Sequence, residues 1–385
     1  MQLELSPEEE MIRDTAKRIA ADRLLPVAER LDRGEGRADL LENLKLLAEN
    51  GFMALNVAAE YGGTEAGTVA FALAIEELAY ACASTGVTAS VTNMVGEVIQ
   101  AVGTPEQKAR HLPRLADGTY PAGAFCLTES GAGSDPSGMT TRARRDGDHY
   151  VLDGSKIYIT SAEYAGLFVV WAVTDPEAPK GRGISCFLVE AGTPGLVVGK
   201  AEHKMGQTGS ATNTVHFDGC RVPASSLMGR EHDGFRVAVG ELAGGRIGVA
   251  ALSLGIARAA MDAAKAYARE RRQFGQMLAD FQGLQWMLAD REVDLEAARL
   301  LILQAAHLKD QRQPFAKAAS MAKLFASEAA ARATDTAIQI HGGAGYVKDY
   351  PVERYARDAR ITRIYEGTSE IQRLIIARET LRQSA

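Results

Sequence analysis

The period of the apolar residues changes twice along this chain, and that double switch restricts the fold more than any single motif does. Up to about residue 118 the spacing is helical. Ser6-Pro7-Glu8-Glu9 is a capping box with proline at the first helical position, and Ile12, Ala16 and Ile19 then share one face. Residues 40–48, 71–82 and 90–102 read as further helices, and Gly103-Thr104-Pro105-Glu106-Gln107 ends one helix and caps the next. Between 119 and 228 the runs become short and β-rich: 150–152, 156–160, 167–173, 184–189 and 214–217. The dipeptides Asp146-Gly147, Asp153-Gly154 and Asp218-Gly219 punctuate them as turns. No strand–helix–strand alternation is visible, which argues against a Rossmann domain. From 229 to 385 helical spacing returns in long stretches. Phe281, Leu284, Leu288, Leu295 and Ile302 mark one stripe; Phe315, Ala319, Ala322, Ala326, Ala329 and Ala333 mark another. The expected fold is mainly α with a central β domain: an N-terminal helical domain (1–118), an antiparallel β-sandwich or barrel (119–228) and a C-terminal four-helix bundle (229–385).

A chain of 385 residues is too long for one compact core and suits two or three domains. Lys and Arg number 43 against 49 Asp and Glu, and a net charge of -6 argues against a nucleic-acid binder. Cys82, Cys126, Cys186 and Cys220 are scattered without CxxC spacing, so they indicate buried thiols in a reducing compartment. The acidic start lacks the apolar core of a signal peptide, and no run approaches the ~20 apolar residues of a membrane span. A cytoplasmic location without a membrane span is expected.

The stretch RITRIYEGTSEIQR, residues 360–373, places Glu366 after Ile364 and Tyr365 on a turn just before a helix. Gly367 lets the backbone turn sharply. Thr368 or Ser369 can cap the helix, and Ser369 with Gln372 has capping-box spacing. A carboxylate backed by apolar side chains has a raised pKa, which suits a base that takes a weakly acidic proton at neutral pH. On this stretch alone, a dipole-favoured glutamate near a helix N-terminus explains the pattern more simply.

Four other stretches carry the same double reading. Residues 125–135, FCLTESGAGSD, form a loop whose glycines and hydroxyls offer free N–H groups to a flavin ring or a phosphate; a tight β turn explains it as well. Tyr158 and Thr160 share a strand face and can flank a planar ring, or Tyr158 can pack in a sandwich core. Arg269, Arg271 and Arg272, with Phe274 and Gly275 after them, are basic residues at a helix C-terminus or a pyrophosphate clamp. After Gln339, Ile340 and His341 come Gly342, Gly343 and Gly345. A helix C-cap needs one glycine; three imply close backbone approach to something flat or anionic. His111, His203, His216, His232 and His307 have no partner at metal spacing.

In this order the stretches resemble the acyl-CoA dehydrogenase family of flavoproteins, from Glu60-Tyr61-Gly62-Gly63 through the 128–135 loop to the 365–373 motif. The resemblance implies FAD as cofactor and Glu366 as catalytic base. It implies that Phe125, Leu127, Thr128 and Ser134 line the flavin, with Tyr158 and Thr160 against the ring. Arg271, Phe274 and Gln282 would bind the diphosphate and adenine, together with Gln339, Ile340, His341, Gly342 and Gly343, partly across a subunit boundary. Thr368 and Glu370 would also contact FAD. Arg246 and Ser134 would lie along the CoA chain, with Glu366 and Gly367 at the substrate. The implied reaction converts an acyl-CoA to a trans-2-enoyl-CoA, as in fatty-acid β-oxidation: Glu366 takes the α-proton and flavin N5 accepts the β-hydride. A homotetramer passing electrons to an electron-transfer flavoprotein is also implied.

The chain departs from the family's pattern at three places. Ala243 stands where an aspartate is usual, three residues before Arg246, with Glu241 as a candidate substitute contact. Tyr158 replaces a tryptophan. Gly245 occupies the helix from which branched-chain and isovaleryl-like members supply the base, so Glu366 should act alone. The stretch from Cys82 to Met94 resembles short-chain members, and no Lys or Arg falls between Cys82 and Gln100 to neutralise a dicarboxylic acyl group. A neutral, short-to-medium saturated acyl chain is therefore expected. The alternatives are an acyl-CoA oxidase using oxygen, a flavin monooxygenase of related fold, and a non-catalytic flavin- or CoA-binding protein. The last two have no need of Glu366.

Overall fold

The structure is a computed structural model that describes residues 4–382. Helix α1 (Pro7–Ile19) starts at the capping box, with Ser6 Oγ accepting from the Glu9 N–H and Glu9 accepting from the Ser6 N–H. α2 (Ala28–Asp32), α3 (Arg37–Glu49), α4 (Gly67–Ala81), α5 (Ala83–Val102) and α6 (Pro105–Ala116) complete the N-terminal helical layer. α4 and α5 are buried around almost their whole circumference, which places them in the core. α5 begins well before its apolar pattern does. Thr88 and Thr92 donate to the carbonyls of Ser84 (3.0 Å) and Thr88 (2.9 Å), so polar side chains satisfied inside their own helix mask the helical signal.

The β domain contains β1 (Ala122–Cys126), β2 (Arg142–Asp146), β3 (His149–Thr160), β4 (Ala165–Val173), β5 (Ile184–Glu190), β6 (Leu196–Ala201), β7 (Thr212–Pro223) and β8 (Leu227–Met228). They form one sheet in the order β6-β7-β3-β2-β4-β5-β8, with β1 added against β4. Neighbours are antiparallel except that β4 takes β1 and the start of β2 in parallel. Phe168, Phe187 and Tyr150 pack together on one face of the sheet, while Trp171 of β4 faces the other way, into the core shared with α5 and α6. Of the three expected Asp-Gly turns, only Asp146-Gly147 reverses the chain, between β2 and β3. The other two lie inside β3 and β7, where the Gly219 N–H donates to Asp153 Oδ1 at 2.7 Å and the register shifts between Leu152 and Gly154. The same glycine freedom that makes a turn makes a bulge there.

α7 (Gly234–Glu270) opens the C-terminal bundle. A hairpin of β9 (Arg272–Gln273) and β10 (Gln276–Met277) follows, then α8 (Gln282–Asp310), α9 (Ala316–His341), α10 (Gly343–Tyr346), α11 (Val352–Arg360) and α12 (Ser369–Arg382). α7 is the axis of the molecule and packs on α4, α5, α8 and α9. Its contact with α4 depends on Gly255, where a Cβ would stand 2.2 Å from the Glu76 carbonyl. The sequence shows no run suited to a membrane, yet α7 has the length and mean hydropathy to cross one. It is the one such helix among the described residues, and 83% of its apolar window is buried in protein. That burial identifies it as a core helix.

Candidate active site

Glu366 lies on the turn between α11 and α12. Its φ is +51° and that of Gly367 is +94°, two successive left-handed residues of which only the second is a glycine. Side chains from two helices hold this strained turn. Gln372 Nε2, on α12, donates to the carbonyls of Glu366 (3.2 Å) and Gly367 (2.9 Å). Lys323 Nζ, from α9, donates to the Gly367 carbonyl at 2.7 Å. The expected Ser369–Gln372 capping box therefore does not form. Thr368 Oγ1 caps α12 by accepting from the Ile371 N–H at 3.3 Å, and Ser369 donates to Glu328 Oε1 at 2.7 Å.

The Glu366 side chain is directed at α7. Its Oε2 is buried with no hydrogen-bond partner. A Cβ at Gly245 would stand 2.3 Å from that oxygen and 2.8 Å from Met94 Sδ of α5. Burial pushes the Glu366 pKa up to about 7, against the pull of Lys323 and Arg246. Arg246 is 6% exposed; Nη1 reaches Ser320 Oγ at 3.5 Å and Nε has no partner. A buried, half-neutralised carboxylate with a free oxygen can take a proton and give it back near neutral pH. Ala243 is buried nearby. Glu241, which burial and Glu97 push up to about 7, lies near the Lys309–Glu97 ion pair.

The loop after β1 is pinned to β3 by a buried ion pair. Lys156 Nζ donates to Glu129 Oε1 at 2.8 Å and to the Leu127 carbonyl at 3.1 Å, while the Ile157 N–H donates to the Thr128 carbonyl at 2.9 Å. Glu129 also accepts from Thr140 Oγ1 (2.8 Å) and the Thr141 N–H (3.0 Å). With both carbonyls turned inward, the outer side of the loop stays open: Ser134 is exposed, and a Cβ at Gly131 or Gly133 would meet nothing within 4 Å. Tyr158 is 65% exposed at φ +57°, on a bulge of β3, with Thr160 half-buried beside it. Phe125 packs on Trp171, ring centroids 4.2 Å apart.

The remaining predicted residues form a second patch. Arg271 caps α7, Phe274 is 93% exposed at the tip of the β9–β10 hairpin, and Gln282 starts α8 on the surface. Tyr267 stacks on His341, centroids 4.3 Å apart, and ties the ends of α7 and α9 together. Gln339, Gly342 and Gly343 are exposed, but the Ile340 and His341 side chains face the core, so only their backbone can meet a ligand. From Gly245 to Arg271 is roughly 39 Å along α7 at 1.5 Å per residue. Within one protomer the two patches are therefore far apart. The Thr368 hydroxyl is occupied by the cap, and Glu370 is exposed.

Sequence reasoning missed Lys323, Met94 and the Glu129–Lys156 pair, and gave Gln372 a capping role in place of its clamp on the Glu366 and Gly367 carbonyls. Lys323 had a signal: a lysine among Ala319, Ala322 and Ala326, on the apolar face of α9.

Family models for the N-terminal, middle and C-terminal domains of acyl-CoA dehydrogenase match residues 6–119, 124–220 and 232–381. A probable acyl-CoA dehydrogenase of Bacillus subtilis is 46% identical over 99% of this chain and 100% of its own. The short-chain specific acyl-CoA dehydrogenase of Clostridium acetobutylicum is 43% identical over 99% and 100%. Among solved structures, butyryl-CoA dehydrogenase from Megasphaera elsdenii superposes with a TM-score of 0.95 at 40% identity, covering 99% of this chain and 100% of that one. A chain reported with the electron transferring flavoprotein of Acidaminococcus fermentans gives 0.96 at 43% identity, with 99% and 100% coverage. An acyl-CoA dehydrogenase from Bacillus anthracis complexed with FAD gives 0.93 at 33%, with 99% and 68% coverage.

Proposed function

Because this chain belongs to the acyl-CoA dehydrogenase family, we propose that it removes the α-proton and β-hydride of a short-to-medium, uncharged acyl-CoA to yield the trans-2-enoyl-CoA, with Glu366 as base. The chain is an oxidoreductase acting on acyl-CoA, and its cofactor is FAD. The surfaces at hand suit that cofactor. An exposed tyrosine beside an open glycine loop suits a planar ring, and an exposed arginine beside a bare phenylalanine suits a diphosphate and an adenine.

One observation carries the assignment of the base: an unpartnered Glu366 Oε2, buried against Gly245 and near two buried cations. The α-proton beside a thioester is weakly acidic, so its removal needs a base of matched pKa and fixed donors at the thioester oxygen. Glu366 meets the first need with a pKa near 7. The strained turn, clamped by Gln372 and Lys323, fixes its direction. Met94 and the walls of α5 and α7 exclude water from the carboxylate. FAD, when bound, supplies the acceptor for the hydride that leaves the β-carbon.

Arg246 and Ser134 are assigned to the CoA chain, and the loop residues Phe125, Leu127, Thr128 and Ser134, with Tyr158 and Thr160, to the flavin. The second patch, from Arg271 to Gly343, is assigned to the diphosphate and adenine of an FAD bound by a neighbouring copy. The ~39 Å along α7 between the two patches supports a cofactor shared between copies, and the assembly proposed is a homotetramer. An electron-transfer flavoprotein is the proposed acceptor, supported by the similarity to the Acidaminococcus chain. Four buried, unbridged thiols support a cytoplasmic setting. The proposed domain limits are 118/119 and 228/229; the second falls between the matched segments 124–220 and 232–381, and the first lies one residue inside the end of the segment 6–119.

The deciding experiment is anaerobic flavin bleaching by acyl-CoAs of graded length. Glu366→Gln should keep FAD and bind acyl-CoA while bleaching about 10²–10⁴-fold more slowly. Near-wild-type bleaching would overturn the assignment.

A further inference from the structure

We propose that Lys323 is a positioning residue for the base: its buried ammonium clamps the Gly367 carbonyl and holds the Glu366 carboxylate ionised and aimed at Gly245. The inference rests on Glu366 being the base. Lys323 Nζ lies 2.7 Å from the Gly367 carbonyl, and the side chain is fully buried on α9. No carboxylate is bonded to it among the described residues. An ammonium taken out of water for one backbone acceptor is costly, and it persists only where its charge is compensated nearby.

Among the surrounding charges Glu366 is the largest compensation, with Glu328 and Glu370 adding less. Glu328, five residues along α9, is occupied by Ser369 and Arg363. Glu370 of α12 is exposed. Arg246 of α7 adds a second cation near Glu366, with Arg378 of α12 at longer range, and Tyr365 is the neutral neighbour. Burial lowers the Lys323 pKa to about 8, and Glu366 pulls it back up. The influence is mutual, since Lys323 is the larger of the two cationic influences that hold Glu366 down. Arg246 is loosely anchored by comparison, with one 3.5 Å contact and an unpartnered Nε. Lys323 also holds the turn itself. Gln372 shares the Gly367 carbonyl, so losing the lysine leaves the positive-φ pair tethered from its own helix alone.

The test compares wild type, Lys323→Met and Lys323→Arg as holoenzymes. Two quantities are read: the pH dependence of anaerobic flavin reduction, and the titration of the Glu366 carboxyl by infrared difference spectroscopy with Glu366→Gln as reference. In Lys323→Met the acid limb and the carboxyl titration should both move up by about one pH unit or more. Affinity for a non-reacting acyl-CoA analogue should stay unchanged. Lys323→Arg keeps the charge and should leave both within about half a unit of wild type. A merely structural lysine would lower thermal stability while leaving both titrations in place, and that result overturns the proposal. Should Lys323→Met fail to fold, Lys323→Arg decides: an acid limb raised by about one unit despite the retained cation also overturns it. If Glu366→Gln bleaches at the wild-type rate, the base assignment itself is what fails.

Discussion

Gly245 of α7 and Glu366 are fitted face to face: a Cβ on the glycine would stand 2.3 Å from Glu366 Oε2 and 3.1 Å from its Cδ. No side chain can occupy position 245 while the base keeps this pose, because non-bonded atoms do not approach so closely. The absence of a side chain on one helix is thus what lets a carboxylate 121 positions further along the chain reach the interior.

Gly245→Ala should displace the carboxylate without touching the exposed FAD surfaces. Flavin content should stay normal while the bleaching rate falls about a hundredfold, the usual penalty for a base misplaced by an ångström. Stopped-flow reduction alongside the flavin absorbance ratio checks both halves.

Glu366→Gln should stabilise the protein at alkaline pH. The folded-state pKa, near 7, lies above the ordinary carboxylate value, so the wild-type group is protonated in both states at low pH and costs nothing there. As pH rises from about 4.5 to 7 the unfolded chain ionises first, and the cost of the buried charge grows to a plateau. Melting temperatures of the two proteins should coincide near pH 4.5 and separate in favour of the glutamine by pH 8.5, provided that both carry FAD.

Glu129→Gln should destabilise the fold by about 3–5 kcal/mol, because it leaves Lys156 charged and unpaired in the β domain. Glu129→Gln with Lys156→Met should recover most of that loss. Burial alone would raise the Glu129 pKa, but Lys156 and the Thr140 and Thr141 bonds hold it down to about 2. The stability it contributes is therefore present above the ordinary value and is lost as pH falls towards 2. Urea titrations at pH 7 and at about pH 2.5 separate these effects.

Arg271→Ala should weaken FAD retention more than acyl-CoA binding, since the arginine is exposed at the C-terminal end of α7, far from the base. Gel filtration in dilute FAD, followed by titration with an acyl-CoA analogue, measures both. Loss of analogue binding with retained flavin would reverse the assignment of this patch.

Capping chemistry is legible in the amino-acid sequence. The Ser6 and Thr104 capping boxes form as their spacing requires, because a cap involves only neighbours in sequence. Local signals fail where distant contacts override them. Asp153-Gly154 reads as a turn but bulges β3, since β7 passes alongside and offers Gly219 as a partner. Ser369 reads as a box residue but turns to Glu328, which α9 brings within 2.7 Å.

The helix–strand–helix order, the short turn carrying Glu366 and the glycine and arginine motifs are legible in the amino-acid sequence, because periodicity and turn chemistry act over a few residues. Tertiary packing is what buries Glu366 over Gly245, brings Lys323 to its turn and sets Arg271 far from both. Desolvation and charge proximity depend on which helices meet, and residues 94, 245, 323 and 366 meet only when α5, α7 and α9 pack around one carboxylate.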